Sequence, residues 1–197
     1  MKNKTIVIAT NNKHKLKEFK DILTDYNILS LNDIEYFEEI EETGETFEEN
    51  ALIKAQTIHN YLKNKGLNYI VIADDSGLCV DSLDGAPGVY SARYAGGHGD
   101  NQANRNKLQK ELEGKERNAY FICTIAVIYP DGEHKIFIGK TYGEIIREEI
   151  GSKEFGYDCI FYSKDLNKTF GEATEDEKNS VSHRGRAIQE LIKEIGK

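Results

Sequence analysis

Breaks and staples are scarce in this chain. Only two prolines occur, Pro87 and Pro130, and no Pro-rich linker, internal repeat or low-complexity tract interrupts the 197 residues. A string of modules is therefore not expected. The three cysteines, Cys79, Cys123 and Cys159, are odd in number, far apart and outside any CxxC. They read as reduced, mostly buried thiols, not as a disulfide framework. Long hydrophobic runs are missing as well. The longest, Ala119–Tyr129, is interrupted by Thr124 and falls far short of the ~20 residues a membrane span needs. The opening Met1-Lys2-Asn3-Lys4 leads directly into a strand-like segment with no apolar leader core, so a cytoplasmic protein is expected. Positive charge is in deficit. Lys and Arg number 26 against 34 Asp and Glu, a net charge of −8. Duplex nucleic acid and anionic membranes reward the opposite sign, so neither is expected as a partner. A small anionic substrate remains open, provided a local basic patch or a metal ion neutralises it.

Apolar residues make up 39% and charged residues 30% of the chain, a balance of globular proteins. A chain of this length buries roughly 70% of its unfolded surface and needs no staple. One domain, residues 1–197, is expected, built as two lobes around a cleft. Segment 4–9 is a β-branched run that reads as a buried strand. Residues 14–23 place Leu16, Phe19, Ile22 and Leu23 on one helical face and Lys13, Lys17 and Lys20 on the other. Residues 46–64 begin with the capping box Thr46…Glu49 and repeat apolar positions at Phe47, Ala51, Ala55, Ile58 and Leu62. Tyr69–Ala73 is a second buried-strand run, with 77–83 continuing it beyond a turn. Residues 101–113 read as a weakly amphipathic helix. The β-rich segments 118–129 and 133–142 flank Pro130-Asp131-Gly132, a hairpin signal. A last helix starts at Ser182, a good N-cap, and stacks Ala187, Ile188, Leu191, Ile192 and Ile195. The pattern is α/β, with an elongated mixed central sheet and helices.

Five segments carry chemistry. Thr10-Asn11-Asn12-Lys13-His14-Lys15 joins the first strand to the first helix. Such a turn directs backbone N–H groups and the positive end of the helix dipole at an anion, and Lys15 adds a full charge. It is not a Walker A loop, and the chain has no GxGxxG. The only Gly-Lys-Thr, at 139–141, has His134 where the first glycine belongs. The stretch 35–49 holds eight glutamates and no lysine or arginine. Most belong to a solvated face, but Glu41 and Glu42 precede Thr43-Gly44 and a capped helix start that fixes their geometry. Asp74-Asp75-Ser76-Gly77 follows the buried run. Adjacent carboxylates there are costly unless compensated, and a divalent cation such as Mg²⁺ suits them. A plain Asp/Gly turn is the alternative. Phe155-Gly156-Tyr157-Asp158 offers either a stacking surface for a flat ligand or core aromatics. Lys178 with Ser182-His183-Arg184 concentrates donors near a helix start.

Taken together, these segments resemble the noncanonical purine NTP pyrophosphatases, the inosine triphosphate pyrophosphatase group. The matching stretches are Ile8–Lys15, Glu41–Ala51, Ala73–Leu78, Gly85–Tyr94, Phe155–Asp158 and Ser182–Gly185. They follow the family's order and spacing over nearly the whole chain. The resemblance implies Mg²⁺-dependent hydrolysis of ITP, dITP and XTP to the monophosphate and pyrophosphate, by a homodimer. It also implies roles for individual residues. Asp75 activates water, and Glu41, Glu42, Asp74 and Asp75 are the candidate metal ligands. Thr10, Asn11, Asn12, Lys13, His14, Lys15 and Lys54 bind the phosphate end. Phe155, Tyr157, Asp158, His183 and Arg184 surround the base, and Ser76, Gly156 and Lys178 are further substrate-binding residues. A pyrophosphatase for other modified nucleotides and a non-catalytic nucleotide sensor are the alternatives.

Overall fold

The computed structural model describes residues 4–97 and 99–196. Met1–Asn3, on which the expectation of no leader rests in part, lie outside the described residues. The elements run β1 (Thr5–Ile8), α1 (Lys13–Ile22), β2 (Asn27–Leu29), α2 (Phe47–Asn64), β3 (Ile70–Val80) and α3 (Asn101–Glu111). There follow β4 (Asn118–Ile128), β5 (His134–Ile145), β6 (Phe161–Ser163), β7 (Lys168–Thr169), α4 (Glu175–Val181) and α5 (His183–Ile195). Among the described residues the strands form one open seven-stranded sheet, in the order β2-β1-β3-β4-β5-β6-β7. β1 pairs parallel with β2 and β3, while β6 pairs antiparallel with β5 and β7. The sheet is therefore mixed, as expected from the sequence.

The chain divides into two compact units. The first takes residues up to Asp75, Cys123–Ile138 and Ala187 onward; the second takes Ser76–Ile122 and Gly139–Arg186. In the first unit strand alternation builds two apolar layers. Ile6, Ile8, Ile70, Ile72, Cys123, Ile125 and Val127 pack with Phe19 of α1 and Ile188 and Leu191 of α5. The intervening Val7, Val71, Ala73, Ala126 and Ile128 pack with Ala51, Ala55, Ile58 and Leu62 of α2. The capping box of α2 forms as the sequence predicts, with Thr46 accepting from the Glu49 amide. The second unit has its own core, in which Leu78, Val80, Leu108, Leu112, Phe121, Phe161 and Phe170 meet.

Three features depart from the sequence reading. No turn follows Ala73: β3 runs unbroken through Asp74-Asp75-Ser76-Gly77. Asp, Ser and Gly favour turns in isolation, but pairing within the sheet overrides that local preference. β5 continues to Ile145, past the predicted end at 142. A helix, α4, fills Glu175–Val181 just ahead of α5, and its own capping box joins Thr174 to Glu177. The TxxE spacing that announces it is legible in the sequence.

Candidate functional site

The α2 layer of the first unit continues one step beyond its last apolar strand residue into Asp75. Successive strand residues face opposite sides of the sheet. Asp74 therefore extends the Ile70–Ile72 face, toward α1, and Asp75 extends the Val71–Ala73 face, toward α2. The contacts follow that parity. The Lys15 ammonium lies 3.0 Å from Asp74 Oδ2, and the Cys123 thiol lies 3.7 Å from the same oxygen. Asp75 instead meets two residues of α2, one turn apart. Asn50 Nδ2 donates to its Oδ2 at 3.1 Å, and Lys54 Nζ lies 3.8 Å from its Oδ1. The same ammonium donates to Glu42 Oε1 at 2.8 Å.

Burial dominates the electrostatics here. Asp75 is 6% exposed, and burial raises its pKa above the usual carboxylate value; Glu42 adds to that, while Lys54 and Lys15 oppose it. Burial pulls the Lys54 ammonium down, yet the fields of Asp75, Asp74 and Glu42 and the Glu42 hydrogen bond together hold its pKa above the ordinary lysine value. Lys54 is thus cationic at neutral pH. A carboxylate raised toward neutrality is a better base than an ordinary one.

The oxygen-only donor set suits Mg²⁺. Among the described residues no three His, Cys, Asp or Glu side chains form a ready-made metal cage. Mg²⁺ does not require one, since it is commonly held by one or two carboxylates with substrate phosphates and waters. Asp75 and Glu42, bridged by one ammonium, fit that mode. Asp74 faces the other side of the sheet, and Glu41 is exposed.

The Thr10–Lys15 turn differs in detail from a bare anion cradle. Asn12 caps α1, and its side chain already accepts from the amides of His14 and Lys15, at 3.0 and 3.2 Å. The Asn12 amide donates to Thr10 Oγ1 at 3.1 Å. An anion here therefore relies on Lys15 and on displacing the cap. Asn11, Lys13 and His14 are exposed. A cavity of about 190 Å³ lies beside this turn, lined by Thr10, Asn11, Asn12, Lys13 and the Ser30–Asn32 segment. It reaches neither aspartate and is small for a whole nucleotide, since ligand pockets usually span ~300–1,000 Å³.

In the second unit, Lys178 of α4 donates to Asp158 Oδ2 at 2.6 Å and stands 4.5 Å over the half-buried Phe155 ring. His183 stacks on Phe121, with ring centroids 4.9 Å apart. Arg184 is 2% exposed, and its guanidinium donates to Ser76 Oγ at 2.9 Å. Of the two aromatics flanking Gly156, Tyr157 belongs to the core: it is buried, and its hydroxyl donates to the Ser91 carbonyl at 2.8 Å. Burial pushes that phenol well above its usual pKa. Gly185 lets α5 begin hard against α4, because a Cβ there would sit 1.9 Å from the Asn179 carbonyl oxygen.

Sequence reasoning missed two supporting residues. Asn50 is fully buried and joins Asp75 to Gly44. Arg105, 3% exposed, donates to Glu149 and to the Gly156 carbonyl, at 2.8 and 2.7 Å. Neither stands out locally, since Asp75 lies 25 residues from Asn50 and Gly156 lies 51 from Arg105.

The fold and these residues define a class: an open-sheet α/β protein with opposed carboxylate–lysine pairs on a central strand. The chain belongs to the Ham1 family, whose profile matches residues 6–194. It is 50% identical to a dITP/XTP pyrophosphatase of Clostridium perfringens, covering 95% of each chain. It is also 50% identical to one of Bacillus subtilis, covering 96% of each. The Staphylococcus aureus Ham1 protein superposes with a TM-score of 0.86 at 43% identity, over 98% of both chains.

Proposed function

We propose that this protein hydrolyses noncanonical purine nucleoside triphosphates, such as dITP, ITP and XTP, to the monophosphate and pyrophosphate. Its relatives' names support the reaction, and the setting of Asp75 between Asn50, Lys54 and Glu42 carries the mechanism. Asp75 takes a proton from water as the water oxygen bonds to the α-phosphorus. The bond from that phosphorus to the bridging oxygen breaks, and pyrophosphate leaves with the electron pair. Lys54 and Lys15 neutralise phosphate charge in an otherwise acidic protein. Glu42 and Asp75 would hold Mg²⁺, which, when bound, offsets charge on the phosphate oxygens. Phe155 provides a face for the base, with Asp158, Lys178, His183 and Arg184 for its polar edge, and Tyr157 supports them from the core.

Hypoxanthine and xanthine accept a hydrogen bond at O6 where adenine presents a donor. A fixed donor, for which Arg184 is proposed, leaves a mismatch with adenine of about 1–3 kcal/mol per unpaired group. GTP also carries an O6, so its rejection requires a wall against the 2-amino group. The family resemblance supports a homodimer in the cytoplasm acting on free nucleotides, and the net charge of −8 disfavours nucleic acid polymers and anionic membranes as partners. Among the described residues no helix is long and apolar enough to cross a membrane.

The deciding experiment is kcat/KM for ITP, dITP, XTP, GTP and ATP with Mg²⁺, detecting pyrophosphate and phosphate separately. Pyrophosphate release with ITP far ahead of ATP is expected, and Arg184→Ala narrows that ratio chiefly by slowing ITP. Equal ITP and ATP rates would overturn the base-selection scheme. Binding without pyrophosphate release would leave a nucleotide sensor.

A further inference from the structure

We infer that Asn50 is a positioning residue that orients Asp75, so that Oδ2 is held as an anchor and Oδ1 receives the proton. The inference rests on Asp75 being the base. Asn50 sits in the first turn of α2 and is fully buried. Its Oδ1 accepts from the Gly44 amide at 2.8 Å. A backbone N–H can only donate, so the amide oxygen must face Gly44 and the NH₂ must face Asp75. That NH₂ donates to Asp75 Oδ2 at 3.1 Å, which commits this oxygen to accepting. The carboxylate plane is then set, and Oδ1 is turned to the Lys54 side, 3.8 Å from Nζ.

The same amide fixes the acidic loop. Gly44 lies so close that a Cβ there would meet Asn50 Oδ1 at 2.7 Å and Glu49 Cβ at 2.6 Å. Two residues further back, Glu42 is held by Lys54, four residues beyond Asn50 on the same helix. Asn50 and Lys54 thus form two rungs, each joining the acidic loop to Asp75. Lys54 supplies charge. Asn50 is neutral and supplies only direction, so its effect belongs in kcat and not in substrate binding.

The test is Asn50→Leu, which keeps the shape and adds no charge but removes the donor to Asp75 together with the acceptor for Gly44. A kcat at least about tenfold lower with KM within about threefold of wild type is expected, the pattern of a misoriented base. The same substitution is then made in Asp75→Asn, where it is expected to cost little further kcat, because the group it acts through is already gone. A wild-type kcat for Asn50→Leu, or an undiminished loss in the Asp75→Asn background, overturns the inference. A third result is distinguishable from both: Asp75→Asn retaining more than about a tenth of kcat removes Asp75 as the base, and this inference with it. Should Asn50→Leu not yield folded protein, Asn50→Ser carries the same cycle.

Discussion

Asp74 and Asp75 are neighbours in sequence but answer to different helices, because strand residues alternate between faces. Lys15 serves the first and Lys54 the second. That division makes the role of Lys15 testable. Its partner Asp74 has a fully buried side chain, and stripping one member from such a pair typically costs about 3 kcal/mol or more. Lys15→Ala is therefore expected to lower Tm and to raise KM for the triphosphate more than it lowers kcat. Adding Asp74→Asn should recover much of the Tm but none of the KM, since only the stability defect comes from the stranded carboxylate. Thermal melts and steady-state kinetics on both variants separate the two effects. An unchanged KM at low salt would return Lys15 to a structural role.

Among the elements, the junction of α4 and α5 has the tightest requirement. Asn179 of α4 approaches Gly185 in the first turn of α5, and Ser182 caps that turn by accepting from the Gly185 amide at 3.0 Å. His183 and Arg184 lie between cap and glycine, so their placement depends on this packing. Gly185→Ala brings a methyl against a backbone carbonyl that cannot retreat without moving α4. A loss above about 2 kcal/mol is expected in denaturant unfolding, against near-neutral behaviour for Gln189→Ala, an exposed position of the same helix. A Gly185→Ala protein as stable as wild type would show that the two helices separate easily. The elements readable from sequence were those with local signals: α2 from its capping box, the β4–β5 hairpin from Pro130-Asp131-Gly132, α5 from Ser182 and its apolar stripe. β3 runs on past its turn-forming residues because neighbouring strands overrule them, and β2, β6 and β7 are too short to show a period.

For the molecule as a whole, Glu149 is a contributor to acid sensitivity. Hydrogen bonds from Lys153 and Arg105 hold Glu149 at a pKa of about 2, against an ordinary value of 4.5. A depressed carboxylate stabilises the fold fully above its unfolded pKa, and that contribution is lost as pH falls toward the folded value. Glu149→Gln is thus expected to melt below wild type at pH 7, with the gap closing as pH falls from about 4.5 toward 2. Melting curves of both proteins across that range check the sign. A gap that stays constant would show that the Glu149 charge does not contribute.

The sequence by itself determined the α/β class, most helices and strands, the buried thiols and the segments from which the site is drawn, because each is written in periodicity, caps or residue type within a short window. Only the tertiary structure decided which carboxylate meets which lysine, that Tyr157 is core while Phe155 is a half-buried face, and that Asn12 already caps the amides of the first turn. It alone revealed Asn50 and Arg105, whose partners lie 25 and 51 residues away. The physical reason is common to all of these: a buried polar side chain must find a partner in three dimensions, and which one it finds is set by sheet parity and helix docking, which local sequence does not encode.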